Sequence, residues 1–128
     1  AKMAQDPEKV RKSLGDLPEV DRLLIERFLP EVAEIMGEAF VQGTRGATEE
    51  GRIYASPWGF ELAEITVPVA IWQGMRDVNV PRSNSEVFHE AIGGSRLEII
   101  EDEGHFSMAI NQGERILRDL KTLGASGD

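Results

Sequence analysis

Ile65-Thr66-Val67-Pro68-Val69-Ala70-Ile71-Trp72 is almost continuously apolar and rich in β-branched residues. That is the pattern of a strand buried on both faces of a parallel sheet. Pro68 inside it predicts an edge position or the start of pairing, because proline brings no N–H to a ladder. A loop follows, Gly74-Met75-Arg76-Asp77-Val78-Asn79-Val80-Pro81. The next spacing predicts a helix from about Arg82 to Ile92, with Val87, Phe88, Ala91 and Ile92 on one face and Gly93-Gly94 as its stop. Arg96 to Ile100 reads as a second short strand. Glu101 to Phe106 reads as a second loop, leading into a final helix that carries Met108, Ile110, Ile116, Leu117 and Leu120. Strand, loop, helix, strand, loop, helix is a βαβα unit belonging to a parallel sheet, so the fold class expected is α/β.

Working outward toward the N-terminus, no strand pattern precedes residue 65. Asp6 is a fitting N-cap, with Pro7 at the first helical position and Gly15 as a stop. A second helical stretch begins at Pro18. Its apolar residues Val20, Leu23, Leu24, Phe28, Val32, Ile35, Met36 and Phe40 recur at helical spacing. Pro30 should kink or split that stretch and Gly43 should end it. A shorter helix is expected from Ala47 to Ala55.

Composition narrows the functional classes. The chain has 128 residues and a net charge of -9, from 23 acidic and 14 basic side chains. Nucleic-acid affinity rests on neutralising phosphates with Lys and Arg, so no nucleic-acid partner is expected. There is no cysteine, which excludes disulfides, thiol nucleophiles and Cys-based metal sites. The apolar runs fall far short of the ~20 residues that span a bilayer, so no membrane partner is expected. No apolar segment of the kind found in a signal peptide follows Ala1-Lys2-Met3-Ala4-Gln5, and a cytoplasmic location is the default expectation.

Both informative loops leave the carboxyl ends of their strands, where ligands bind in open parallel sheets. The first offers the carboxylate of Asp77 and the second, Asp102-Glu103-Gly104-His105-Phe106, the imidazole of His105. A carboxylate beside an imidazole fixes its tautomer and stabilises the imidazolium formed when it takes a proton. Gly74 and Gly104 suit sharp exits from the strands.

Three features together, Val67 to Gly74, the G-x-x-D-x-x-V-P loop Gly74 to Pro81, and Gly104-His105-Phe106, resemble the C-terminal part of the α/β-hydrolase superfamily. The likeness covers roughly residues 57 to 123, with Pro57-Trp58-Gly59-Phe60 ahead of the strand. The family's triad runs nucleophile, acid, histidine along the chain. The resemblance therefore assigns the acid to Asp77 and the histidine to His105, with Phe106 and Met108 as candidate substrate contacts. It also implies two segments, a helical cap-like one over 1–56 and part of the hydrolase core over 57–128. The family's nucleophile sits in a G-x-S-x-G elbow. None of Ser13, Ser56, Ser83, Ser85, Ser95, Ser107 and Ser126 lies in that motif. The nucleophile is accordingly expected outside this chain, and the chain by itself is expected to be inactive.

The full enzyme implied is a serine-type hydrolase of a small ester or related acyl substrate, without a cofactor. The partner expected for the free chain is the missing N-terminal half or a second copy. Other readings stand beside this one. Asp77 could be a simple turn residue, His105 a structural loop residue, and Phe106 and Met108 packing residues. His89 reads as solvated. Asp102 and Glu103 read as exposed rim charges, either of them a backup acid. No histidine pair has metal-ligand spacing. Trp58, Phe60 and Trp72 read as packing residues. The alternatives for the whole are a stand-alone interaction module, or a lyase or haloperoxidase-like member of the same fold.

Overall fold

A computed structural model of the chain describes residues 6–125. Ala1 to Gln5, read above for a leader, and Ser126 lie outside the described residues. The chain divides into two compact units. The first comprises 6–17 and Arg22–Phe60, the second Pro18–Asp21 and 61–125.

The first unit is helical. Helix α1 (Pro7–Ser13) starts where its cap predicts, with the Asp6 carboxylate accepting from the Glu8 amide at 3.1 Å. The long second stretch is two helices, α2 (Glu19–Arg27), whose first residues Glu19 to Asp21 belong to the second unit, and α3 (Leu29–Ala39). The break falls just before Pro30, whose ring nitrogen cannot donate to the carbonyl of Glu26. Helix α4 (Arg45–Tyr54) begins two residues earlier than its apolar pattern predicts. Helices α1 and α3 pack through Val10, Leu29 and Ala33, with Val32 against them. Helix α4 buries no residue.

The second unit holds a two-stranded parallel sheet, β1 (Ala70–Gly74) beside β2 (Arg96–Ile100), in the register Ala70↔Arg96 through Gly74↔Ile100. The first strand is shorter than its apolar run, and Ile65 to Val69 lie outside it. Pro68 has no N–H to donate, and pairing starts one residue after it, where the Arg96 amide donates to the Val69 carbonyl at 2.9 Å. A single 3-10 turn, Leu62–Glu64, precedes the strand. Helix α5 (Arg82–Ala91) joins the two strands, and its Ser85 hydroxyl donates to Gln73. Strand side chains alternate between faces, so α5 lies on the Gln73 side. On the other side Trp72 lies under the Arg115 guanidinium, 4.7 Å from the ring centroid, and Glu98 accepts from Arg115 at 3.3 Å. Arg96 pairs there with Asp119.

The expected final helix is also two, α6 (His105–Asn111) and α7 (Gly113–Ala125). Gly113 is a poor helix former, and the Gln112 carboxamide is drawn to the Glu103 carboxylate at 2.9 Å. Helix α6 starts at His105, so the histidine expected in a loop is instead the first residue of a helix. No helix among the described residues is long and apolar enough to cross a membrane.

Candidate functional site

The acid loop and the histidine segment are joined backbone to backbone. The Met75 amide donates to the Ile100 carbonyl at 2.9 Å, and the Arg76 amide to the Glu103 carbonyl at 3.0 Å. Gly74 permits this. A Cβ at that position would overlap the Glu103 carbonyl oxygen and lie 2.7 Å from that of Gly104. Glycine here serves the close approach of two chain segments, a reason distinct from the sharp strand exit its sequence position suggests. Buried Gln73 holds the other end of the loop, donating to the carbonyls of Gly74 at 2.9 Å and Val80 at 3.3 Å.

Within that frame Asp77 folds its carboxylate back on its own turn. Oδ1 accepts from the amides of Asn79 and Val80, each at 2.8 Å. Oδ2 lies 2.9 Å from His105 Nδ1. The Asp77 side chain is 9% exposed and that of His105 38%. Burial works to raise the Asp77 pKa, but the Val80 amide, the His105 ring and the Asn79 amide together hold it below the usual carboxylate value. An ionised carboxylate only accepts, so Nδ1 carries the shared proton. Nε2 is then the basic nitrogen, and it has no hydrogen-bond partner among the described residues. The arrangement can orient an imidazole, leave its far nitrogen open to take a proton, and stabilise the resulting imidazolium.

The other sequence candidates fall into place around this pair. Phe106 stands edge-on to the His105 ring, with centroids 5.1 Å apart, and is exposed. Met108, two residues further along α6, is buried, 7% exposed. Asp102 is an exposed charge, as read, and pairs with Arg76 at 2.6 Å. Glu103 is not. It is buried, and accepts from Asn111 Nδ2 at 3.0 Å and Gln112 Nε2 at 2.9 Å. Burial works to raise its pKa, but hydrogen bonds from Gln112, Ser107 and Asn111 leave it below its usual value.

Ser107 is wholly buried, its Oγ accepting from the Gly104 amide at 2.7 Å, and is no nucleophile for His105. His89 is exposed and meets the Ser95 hydroxyl at 2.9 Å, a local contact around the turn into β2. Trp72 is half-buried, whereas Trp58 and Phe60, read as packing residues, are each half exposed with ring centroids 6.0 Å apart.

One residue of this neighbourhood was not legible beforehand. Asp21, wholly buried, accepts from the amides of His105 at 2.8 Å, Phe106 at 3.1 Å and Ser107 at 2.8 Å. Nothing in Pro18-Glu19-Val20-Asp21 marks it. The available signal was at the other partner, where a helix starts after Gly104 with no side chain to satisfy its first amides.

Over 96 residues the chain is 38% identical to the uncharacterized protein Rv2715 of Mycobacterium tuberculosis (strain ATCC 25618 / H37Rv). The same figures hold for the uncharacterized protein Mb2734 of Mycobacterium bovis (strain ATCC BAA-935 / AF2122/97). The match covers 73% of this chain and 27% of each relative, so the chain spans about a quarter of the length of the curated relatives it matches. No family model matches the chain. No solved structure matches it.

Proposed function

We propose that this chain is the acid-and-histidine portion of an α/β-hydrolase that cleaves ester or related acyl bonds, with the nucleophilic serine supplied from outside the chain. The observation that carries the reading is the 2.9 Å contact between Asp77 Oδ2 and His105 Nδ1, at the carboxyl ends of two adjacent parallel strands. In this reading Nε2 takes the proton of an incoming serine hydroxyl as it attacks the acyl carbon, then returns it to the leaving group. Asp77 accepts from Nδ1–H in the neutral ring and again in the imidazolium formed when Nε2 is protonated. Phe106, beside the ring and exposed, is the substrate contact. The relatives extend far beyond the matched stretch, which leaves room for a nucleophile-bearing segment. Each strand has a free edge in the described sheet, and in this reading that nucleophile-bearing half, or a second copy, pairs with one of them.

Hydrolysis of an activated ester tests the reading, comparing the chain alone with a polypeptide that also carries the upstream reading frame. The chain alone should stay at background and the longer protein should turn over. In the longer protein His105→Ala should abolish turnover, and Asp77→Asn should lower kcat by roughly 10³–10⁴. An acyl-enzyme trapped on a serine of the chain alone, or full activity in the His105→Ala variant, would overturn the reading. If the longer protein is inert and the chain is a stable monomer, a non-catalytic interaction module replaces it.

A further inference from the structure

The two members of the pair are held in different ways. Asp77 is fixed by its own turn, through the amides of Asn79 and Val80. The ring of His105 can reach that carboxylate only if the backbone at 105 is placed first. The local bond at this helix start, from the Gly104 amide to Ser107 Oγ at 2.7 Å, does not engage the His105 amide, and Gly104 has no side chain to do so. The contact comes instead from a residue 84 positions earlier in the chain. Oδ2 of Asp21 accepts from the His105 amide, and Oδ1 accepts from the amides of Phe106 and Ser107.

Three successive N–H groups converge on one ionisable carboxylate away from solvent, at the end of the helix where the peptide dipoles favour negative charge. Gly104 is what lets it in, since a Cβ there would overlap Asp21 Oδ2. The far end of α6 is held by the second buried carboxylate, Glu103, through Asn111 and Gln112. The Glu103 carbonyl in turn receives the Arg76 amide from the acid loop. The acid loop and the histidine helix therefore share one rigid junction around Gly104, and Asp21 is the part of it that grips the histidine itself.

We propose that Asp21 is a positioning residue for the Asp77–His105 pair, setting the direction of the imidazole through the His105 amide without touching substrate. The inference rests on the hydrolase reading of the pair. A shift of the Asp21 carboxylate passes to the ring through one residue's Cα and Cβ, so its loss should loosen the ring before it melts the unit. Asp21→Asn is the sharpest variant. It keeps the shape and one acceptor oxygen, but turns an NH₂ donor toward amides that are themselves donors.

Long-range ¹H–¹⁵N correlation spectra of the labelled chain provide the readout, with His89 as internal control, since the chain has two histidines. In the unaltered chain His105 should show one tautomer, protonated at Nδ1. In Asp21→Asn that pattern should average toward an unconstrained imidazole. The amides of residues 105, 106 and 107 should exchange at least about tenfold faster, while His89 and the strand amides stay as they were. An unchanged His105 pattern in a folded Asp21→Asn variant overturns the inference and leaves the hydrolase reading standing. If the variant does not fold, amide exchange in the unaltered chain decides. Slow exchange at all three positions supports the clamp, and exchange at the free-peptide rate at any of them overturns it. An unaltered chain whose His105 lacks the Nδ1–H tautomer overturns the pair, and this inference with it.

Discussion

The helical unit and the sheet-bearing unit bury different chemistry. In the first, the buried side chains are those of Val10, Leu14, Ile25, Leu29 and Ala33, and the ion pairs are local, such as Arg52 with Glu49 and Arg22 with Glu26. In the second, apolar Ile92 and Met108 share the interior with Asp21, Gln73, Ser85, Glu103 and Ser107. Its contacts also join residues far apart in sequence, 28 positions for Asp77 with His105 and 84 for Asp21 with His105. Apolar packing is non-directional and tolerates small displacements. A hydrogen-bonded carboxylate specifies distance and angle, and leaving it unpaired costs more than making the bond gains. The unit that carries the candidate chemistry thus uses the interaction that fixes geometry, and the helical unit uses the one that supplies bulk stability.

That contrast can be broken or sharpened by substitution. Leu29→Ala should cost the most, about 2–4 kcal/mol in the helical unit, through lost burial and a residual cavity. Urea denaturation followed by amide signals of each unit would show it, and the His105 spectrum should be untouched. Gly74→Ala should destabilise the second unit by about 1–3 kcal/mol, because the obstructing atoms are backbone carbonyls and not a yielding side chain. It should also separate Asp77 from His105, visible as loss of the single His105 tautomer. Ser85→Ala leaves the Gln73 carboxamide oxygen without the Ser85 hydroxyl and should cost about 1–2 kcal/mol.

In the helical unit the glycine experiment should change sign. A Cβ at Gly51, inside α4, meets nothing within 4 Å. Gly51→Ala should therefore stabilise, by up to about 1 kcal/mol, read as a raised urea midpoint. A destabilising Gly51→Ala, or a harmless Gly74→Ala, would remove the distinction between the units.

Acid should also separate them. Asp77 and Glu103 are held below their usual pKa values in the folded chain, so as pH falls the unfolded chain binds protons first. Their contribution is complete above about pH 5, and is lost as pH drops below about 4 through the depressed folded values. Signals of the second unit should broaden or shift over that range before those of the first, and Asp77→Asn should remove part of the effect. The smallest change expected is from Arg76→Ala. It deletes the Arg76–Asp102 pair, whose side chains are 52% and 84% exposed, and should alter stability by less than about 1 kcal/mol.

Several elements were readable from the chain because their causes are local. Asp6 caps α1 two residues away, Pro30 breaks the long helical stretch, and the short apolar segment Arg96 to Ile100 makes β2 where it is expected. Asp77 and His105 were likewise readable as a pair, since each follows a strand at its carboxyl end and parallel neighbours share that end. The apolar run from Ile65 is longer than the strand it feeds, because a ladder needs the N–H that Pro68 lacks, and the stretch ahead of the strand is not buried either, Val67 being 66% exposed.

What only the tertiary structure decided is how that pair is held. The burial of Glu103 beside an exposed Asp102, the enclosure of Met108 and Ser107, and above all the reach of Asp21 across 84 residues have no periodicity or spacing to announce them. Local sequence sets which backbone groups a helix leaves unpaired. Which distant side chain satisfies them depends on how the chain closes on itself, and that closure is a property of the packed unit.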